Sequence, residues 1–201
     1  MRLSFKFARS MAGICVVLAT SLVHAADAQD VPQPAGLCVA CHAMSDVPAN
    51  SINPIIWGQN AGYLYLQLRD FKRAARASES DASMHAMTQG MSDAQMLAIA
   101  KYVSAQPWPK LLDGSVAPAD PLFRRGAQLV AYGDCGGCHF NNLQGYGANP
   151  RLRGQTPAYL DVTINEFRSG RRANSPGMSD FVRVYNSEEL RAIVAYLSSA
   201  D

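Results

Sequence analysis

Apolar residues recur at helical spacing in two matched pairs of stretches, and this pattern predicts four helices that each bury one face. Members of the first pair lie 96 residues apart, and members of the second pair lie 94 residues apart. The chain is therefore predicted to be all-α and internally repeated. The first pair is Leu64, Leu68 and Phe71 with Leu160, Ile164 and Phe167, and the second is Met96, Ile99, Ala100 and Val103 with Leu190, Ile193, Val194 and Leu197.

Start signals for the second pair of helices are also duplicated. Ser92 and Gln95 have the spacing of an N-cap residue and its reciprocal partner, and Asn186 and Glu189 repeat that spacing. An upstream loop repeats as well, at the offset of 96 residues. In that loop Asn53-Pro54, Gly58-Gln59 and Tyr63-Leu64 reappear as Asn149-Pro150, Gly154-Gln155 and Tyr159-Leu160.

A proline-rich segment separates the two copies. Four prolines fall within residues 106–121, and they favour an extended, semi-rigid connection over a helix. We therefore predict a first domain at 26–105, a linker at 106–120 and a second domain at 121–201.

The two copies differ at their starts. Leu122 to Tyr132 predicts a first helix for the second domain, with Gly126 where close packing on the last helix would need it. In the first domain Pro32 and Pro34 precede Cys38 and exclude a long helix there. We expect this shortened start to leave one face of the first domain more open.

The amino-terminal stretch has the pattern of a secretory signal peptide. Three basic residues precede an apolar run at 11–23 that is short for a membrane span, and small residues follow at a cleavage site after Ala25. We predict a signal peptide at 1–25, which contains Cys15, and a periplasmic mature protein. The alternative is that this segment is retained as an anchor and keeps the protein at the membrane.

Removal of the signal peptide would change the charge balance. The full chain has 18 Lys and Arg against 16 Asp and Glu, and three basic but no acidic residues precede Ala26. The mature chain would then carry a formal charge near −1, and nothing in it favours a nucleic-acid partner.

Each copy contains a Cys-x-x-Cys-His pentapeptide. Two thiols three positions apart suit thioether bonds to the vinyl groups of a haem, and the adjacent imidazole reaches its iron from one face. Zinc or a redox disulfide is the alternative, but zinc-binding pairs usually lie about 15 to 20 residues apart. We predict two covalently bound haem c groups, attached through Cys38, Cys41, Cys135 and Cys138, with His42 and His139 as iron ligands.

Methionines are the candidates for the sixth position on each iron. Met178 is the only methionine after His139, and it lies eight residues before the predicted N-cap Asn186. The same count back from Ser92 reaches Met84. Alternatives near Met84 are Met87, Met91 and His85, whereas Met91 and Met96 are predicted to be packing residues.

With these features the chain resembles the cytochrome c4 family, which are dihaem class I cytochromes c. The resemblance extends from Ala35 to Asp201 and rests on both pentapeptides, the Pro-x-x-x-Gly-Gln-x-x-x-Tyr-Leu pattern and the methionine-to-helix spacing. It implies two tandem class I cytochrome c domains, each wrapped around a covalent haem c. The implied ligand pairs are His42 with Met84 and His139 with Met178, and the implied acceptors of the histidine ring N–H are the carbonyls of Pro54 and Pro150.

The predicted function follows from the sixth position on each iron. A filled position makes an electron carrier, whereas an open one lets iron bind and transform small ligands. We predict a non-enzymatic, periplasmic dihaem cytochrome that transfers electrons from respiratory-chain or dehydrogenase donors to a terminal acceptor such as an oxidase. The alternative is the dihaem subunit of a periplasmic, flavocytochrome-like dehydrogenase, which an apolar patch near the shortened start would favour. A peroxidase or a haem-based sensor would need an open iron, and the two methionines argue against it.

Overall fold

The computed structural model describes residues 35–76, 78, 81–112, 117–140 and 142–199. The predicted signal peptide, 1–25, lies outside these residues, as does the proline pair before Cys38. Within the described part the chain forms helices and no strands, with two isolated bridges between loop residues. The prediction of an all-α fold is confirmed.

Helices account for most of the described residues, and they fall into two sets that match the sequence repeat. Two cores form within these sets. The helices are α1 (Ala35–Cys38), α2 (Ala61–Lys72), α3 (Ala82–Thr88), α4 (Asp93–Ser104), α5 (Pro121–Tyr132), α6 (Cys135–His139), α7 (Pro157–Ser169), α8 (Pro176–Arg183) and α9 (Ser187–Ser198).

The last helix of each set begins as the sequence predicts. The Ser92 side chain accepts from the backbone N–H of Gln95, and the Gln95 side chain accepts from the N–H of Ser92. Asn186 and Glu189 form the same reciprocal pair at the start of α9. Both capping boxes are therefore confirmed, and each satisfies backbone donors that a helix start would otherwise leave unpaired.

The predicted apolar stripes form the two cores. In the N-terminal set, α1 to α4, α2 packs against α3 and α4. In the C-terminal set, α5 to α9, α7 packs against α8 and α9. The N-terminal core is Ala35, Trp57, Leu64, Met91, Met96, Ile99, Ala100 and Val103. The C-terminal core is Leu129, Val130, Leu143, Leu160, Ile164, Phe167, Val182, Leu190, Ala192, Ile193, Val194 and Leu197.

The helix that opens the C-terminal set lies directly on the last helix. Asp120 caps α5 by accepting from the N–H of Leu122, and Pro121 occupies the first turn, where its missing N–H has no cost. A Cβ atom at position 126 would lie 1.9 Å from the carbonyl oxygen of Ala192, so only glycine allows this approach of α5 to α9. The predicted role of Gly126 is confirmed.

The proline-rich segment contacts both sets of helices. Leu111 forms a parallel bridge with Val47, and Trp108 Nε1 donates to the carbonyl of Gly154 over 3.3 Å. The Arg151 guanidinium lies over the Trp108 ring at 4.4 Å. The described part of the segment is thus folded onto the molecule, while the domain boundaries predicted above stay predictions. No described helix is long and apolar enough to cross a bilayer.

Candidate haem sites

Each Cys-x-x-Cys-His segment ends at a buried histidine, and the second is a short helix whereas the first is a hydrogen-bonded turn that follows α1. Cys135 to His139 is α6, and Asp134 before it has the left-handed φ of 48°. At the first segment the N–H of His42 donates to the carbonyl of Cys38 over 2.8 Å. One cysteine of each pair is half-buried and the other is exposed, and none of the four forms a disulfide.

The two buried histidines have the same ring contact. Nδ1 of His42 lies 2.8 Å from the carbonyl oxygen of Pro54, and Nδ1 of His139 lies 2.8 Å from that of Pro150. Because a carbonyl oxygen only accepts, each Nδ1 must carry the hydrogen. The lone pair is then on Nε2, where it can bind a metal. The predicted role of the two prolines is confirmed.

Burial favours the neutral form of the two histidine rings and of the half-buried thiol in each cysteine pair. It lowers the pKa of His42 and of His139, and the hydrogen bond to the proline carbonyl offsets this only in part. Burial raises the pKa of the Cys38 and Cys135 thiols. Neutral imidazole is the form that binds iron, so the environment of both histidines suits a metal ligand.

The zinc alternative finds no support in this geometry. The two cysteine pairs lie in different sets of helices, one at the end of α1 and the other in α6. Among the residues that the structure describes, no three His, Cys, Asp or Glu side chains converge on one point.

The two candidate sixth ligands lie on equivalent helices. Met84 is half-buried on α3, which packs against α2, and Met178 is half-buried on α8, which packs against α7. Met178 also packs against the C-terminal core. These positions agree with the ligand pairs, which stay predictions.

The alternatives to Met84 differ from it in burial and contacts. Met91 is buried in the N-terminal core and so is Met96, as predicted for packing residues. Met87 is exposed. Nδ1 of His85 hydrogen-bonds the carbonyl of Phe71 over 2.7 Å, near the end of α2.

Two buried arginines were not predicted. Arg76 and Arg172 lie 96 residues apart in the sequence, and each stacks on the equivalent phenylalanine, Phe71 at 4.5 Å and Phe167 at 4.4 Å. Both donate to Oε1 of Gln67, over 3.1 and 2.9 Å. The two sets of helices therefore bring two guanidinium groups to the same glutamine. The repeat offset was the signal that could have identified them.

The chain is similar to known proteins. A family model described as Cytochrome c matches residues 123–201. A thiosulfate dehydrogenase electron acceptor from Stutzerimonas stutzeri (strain A1501) is 29% identical, over 94% of this chain and 93% of that protein. The crystal structure of reduced recombinant cytochrome c4 from Pseudomonas stutzeri superposes with a TM-score of 0.72 at 28% identity, covering 88% of this chain and 100% of that one.

A cytochrome c4 from Thiocapsa roseopersicina decides the family, because it is 32% identical over 81% of this chain and 86% of that protein. The chain belongs to the cytochrome c4 family. Its cofactor is covalent haem c, it is a dihaem class I cytochrome, and it functions in electron transfer. The repeat of helices and pentapeptides corresponds to the two haem-binding halves of this family, which we call the N-terminal half and the C-terminal half.

The arginine pair suits a haem in a cytochrome c4. Arg172 donates to the hydroxyl of Tyr63 over 3.3 Å, yet its Nη1 is buried without a hydrogen-bond partner among the described residues. Burial alone would raise the pKa of Tyr159, but the charges of Arg76 and Arg172 lower that pKa to about 7. Arg76 is already paired with buried Asp81 over 2.9 Å, whereas Arg172 Nη1 is a buried donor that an anion would satisfy, and haem c carries two carboxylates. The residues present fit the cofactor.

Two glutamines join the halves of the cytochrome. Gln59 bonds the backbone of Arg151, accepting from its N–H over 2.7 Å and donating to its carbonyl over 2.9 Å. Gln155 bonds both backbone groups of Ile55 in the same way, over 2.8 and 2.9 Å. Gln59 and Gln155 are equivalent in the repeat, and so are Ile55 and Arg151. The contact therefore has approximate two-fold symmetry.

Proposed function

We propose that this cytochrome carries electrons in the periplasm, with both irons closed to exogenous ligands. His42 and Met84 hold one iron, His139 and Met178 hold the other, and the haems are attached through Cys38, Cys41, Cys135 and Cys138. The observation that carries the proposal is the duplicated contact of a buried histidine ring with a proline carbonyl, 2.8 Å in both halves. That contact leaves Nε2 ready to ligate at each site.

The residues of the chain then set the redox behaviour. Bound haem c supplies a one-electron ferric and ferrous couple. Each proline carbonyl fixes the tautomer and ring plane of its histidine, and raises the electron donation of the imidazole. A methionine thioether favours the ferrous state, and so does an apolar environment such as the core against which Met178 packs. If each iron keeps its histidine and methionine ligands in both oxidation states, little reorganisation would accompany electron transfer.

We infer that the donor is a dehydrogenase and the acceptor a terminal oxidase of the respiratory chain. The relative from Stutzerimonas stutzeri is named as the electron acceptor of thiosulfate dehydrogenase, and it aligns over 94% of this chain. A thiosulfate-oxidising enzyme is therefore the first donor to test. Anaerobic mixing with such a dehydrogenase and thiosulfate should reduce both haems, and failure of reduction would exclude this donor.

A second candidate is the cytochrome subunit of a stable dehydrogenase complex. It is favoured by exposed apolar side chains near the first haem-attachment turn, where Leu37 is 62% exposed and Val39 40%. Isolation of the native protein separates the two candidates. A catalytic partner that remains in one-to-one ratio through gel filtration would establish the complex, and a free cytochrome would exclude it.

Single methionine variants test the ligand pairs. Met178→Ala should open one haem per chain to carbon monoxide in the reduced protein, and Met84→Ala should open the other. The matched control is Met91→Leu, because Met91 is buried in the N-terminal core and its loss removes only packing. Carbon monoxide binding that is unchanged in Met84→Ala would overturn the pairing of His42 with Met84.

A further inference from the structure

One peptide group connects each candidate iron ligand to the other half of the molecule. The carbonyl of Pro54 accepts the ring N–H of His42, and the N–H of the same peptide group, on Ile55, donates to Gln155 Oε1. In the C-terminal half, the peptide group between Pro150 and Arg151 lies between His139 and Gln59 in the same way. Each chain of bonds crosses from one half to the other.

The orientation of both glutamine amides is determined by their neighbours. Besides the N–H across the interface, Gln59 Oε1 accepts from the N–H of Asn60, and Gln155 Oε1 from that of Thr156, both over 2.9 Å. Backbone N–H groups only donate, so each Oε1 must be the oxygen. Both glutamines are 3% exposed, and water does not compete for these bonds.

Hydrogen bonds that share an amide strengthen one another. A peptide group that donates from its N–H becomes more polarised, and its carbonyl then accepts more strongly. A stronger acceptor on the ring N–H increases the electron donation of a ligating imidazole. The acceptor strength of Pro54 thus depends on Gln155, and that of Pro150 depends on Gln59.

We propose that the two glutamines tune the haems crosswise, so that Gln59 lowers the reduction potential of the His139 haem and Gln155 lowers that of the His42 haem. This inference rests on the proposed role of the two histidines as iron ligands. It assigns a positioning function to residues of the interface: each half adjusts the redox equilibrium of the other through a single peptide group. Loss of the hydrogen bond from one glutamine would therefore change the reduction potential of the haem in the other half.

Leucine variants of the holoprotein test the proposal. In Gln59→Leu the ferrous form of the His139 haem should be favoured roughly threefold more than in the wild type, because the cooperative contribution of one amide hydrogen bond is lost. This corresponds to a rise of about 30 mV, at 59 mV per tenfold for one electron. Gln155→Leu should shift the His42 haem by a similar amount, and each variant should leave the other haem nearly unchanged.

The two haems are followed separately in a potentiometric titration by NMR, through haem methyl resonances assigned by contacts with the attached pentapeptide. Amide hydrogen exchange gives a second measurement. The Arg151 N–H should exchange faster in Gln59→Leu while the Ile55 N–H does not, which confirms that the intended bond is broken.

If the leucine variants do not fold, Gln59→Glu keeps the acceptor and adds a negative charge. This variant should lower the reduction potential of the His139 haem more than that of the His42 haem.

Thr156→Val is the matched control. Thr156 is fully buried, and its hydroxyl, which valine removes, donates across the interface to the carbonyl of Ser51 over 2.8 Å. Valine keeps the backbone N–H that donates to Gln155 Oε1, so the bonds of both tuning peptide groups stay intact. It should leave both potentials unchanged. Equal shifts of both reduction potentials would overturn crosswise tuning, even if both irons stay closed to carbon monoxide. A shift confined to the haem in the same half as the substituted glutamine would also overturn it. Opening of an iron in the wild type would instead contradict the proposed function.

Discussion

The two halves of this cytochrome agree in the contacts that hold the histidines and differ in the helix that begins each half. The proline carbonyls, the glutamines and the buried arginines are duplicated at a constant offset of 96 residues. The first helix is not duplicated in the described residues: α5 has 12 residues and lies along α9, whereas α1, described from Ala35 onward, has four and touches α4. The haem-binding contacts and the interface therefore constrain the sequence more strongly than does the start of each half.

The equivalent positions 57 and 153 differ strongly between the halves, although both halves keep the contact of the histidine ring with the proline carbonyl. Trp57 is fully buried in the N-terminal core and its ring N–H donates to the carbonyl of His42. Arg153 is half-buried, donates to the carbonyl of Tyr196 over 3.2 Å and stacks on that ring at 4.4 Å. One is a core residue and the other covers a helix end.

Alanine substitution at these two positions should give the largest difference in the free energy of unfolding between the halves. Trp57→Ala should lower the free energy of unfolding by about 4 kcal/mol, because it leaves a large cavity beside the His42 segment. Arg153→Ala should lower it by only about 1 kcal/mol, since a half-buried stacked cation contributes less. Guanidinium denaturation followed by circular dichroism gives both values. Equal losses would show that position 57 is not a core position.

Substitution of the close-contact glycine tests the longer first helix. Gly126→Ala should cost about 3 kcal/mol, because its new Cβ meets a backbone oxygen that cannot move alone. The control in the other half is Gly36→Ala on α1, where a Cβ meets no atom within 4 Å. That change should be neutral or stabilise by up to about 1 kcal/mol through helix propensity. Thermal unfolding of the two variants measures the contrast, and a well-tolerated Gly126→Ala would contradict the packing of α5 on α9.

The two capping boxes should give the smallest difference in stability between the halves. Asn186 accepts from two backbone N–H groups, of Glu188 and Glu189, whereas Ser92 accepts from Gln95 alone. Asn186→Ala should therefore cost about 1.5 kcal/mol and Ser92→Ala about 0.7 kcal/mol. The order is checked by the denaturation midpoints of the two variants, and a reversed order would contradict it.

Local features were the ones that the sequence predicts best. The helix starts, the apolar stripes and the packing role of Gly126 each depend on residues within one or two turns or on one helix pair. The contacts of His42 with Pro54 and of His139 with Pro150 also followed from a short loop and a family resemblance.

The contacts between the halves could not be predicted in this way. Gln59 and Gln155 join backbone groups about 90 to 100 residues away, and a repeated glutamine is equally consistent with a role inside its own half. Arg172 follows Arg171 in a polar segment typical of a solvated loop, yet it is buried because it stacks on Phe167 and meets residues of the other half. Such burial depends on a neighbour that local periodicity does not reveal.

The most direct test of the central claim is the visible spectrum of the reduced wild-type protein, with haem quantified per chain, before and after addition of carbon monoxide. Two closed histidine and methionine sites predict two low-spin haems per chain and a spectrum that the gas does not change. Carbon monoxide binding at either haem would contradict the claim that both irons are closed, and would reopen a role in ligand binding or catalysis for that half.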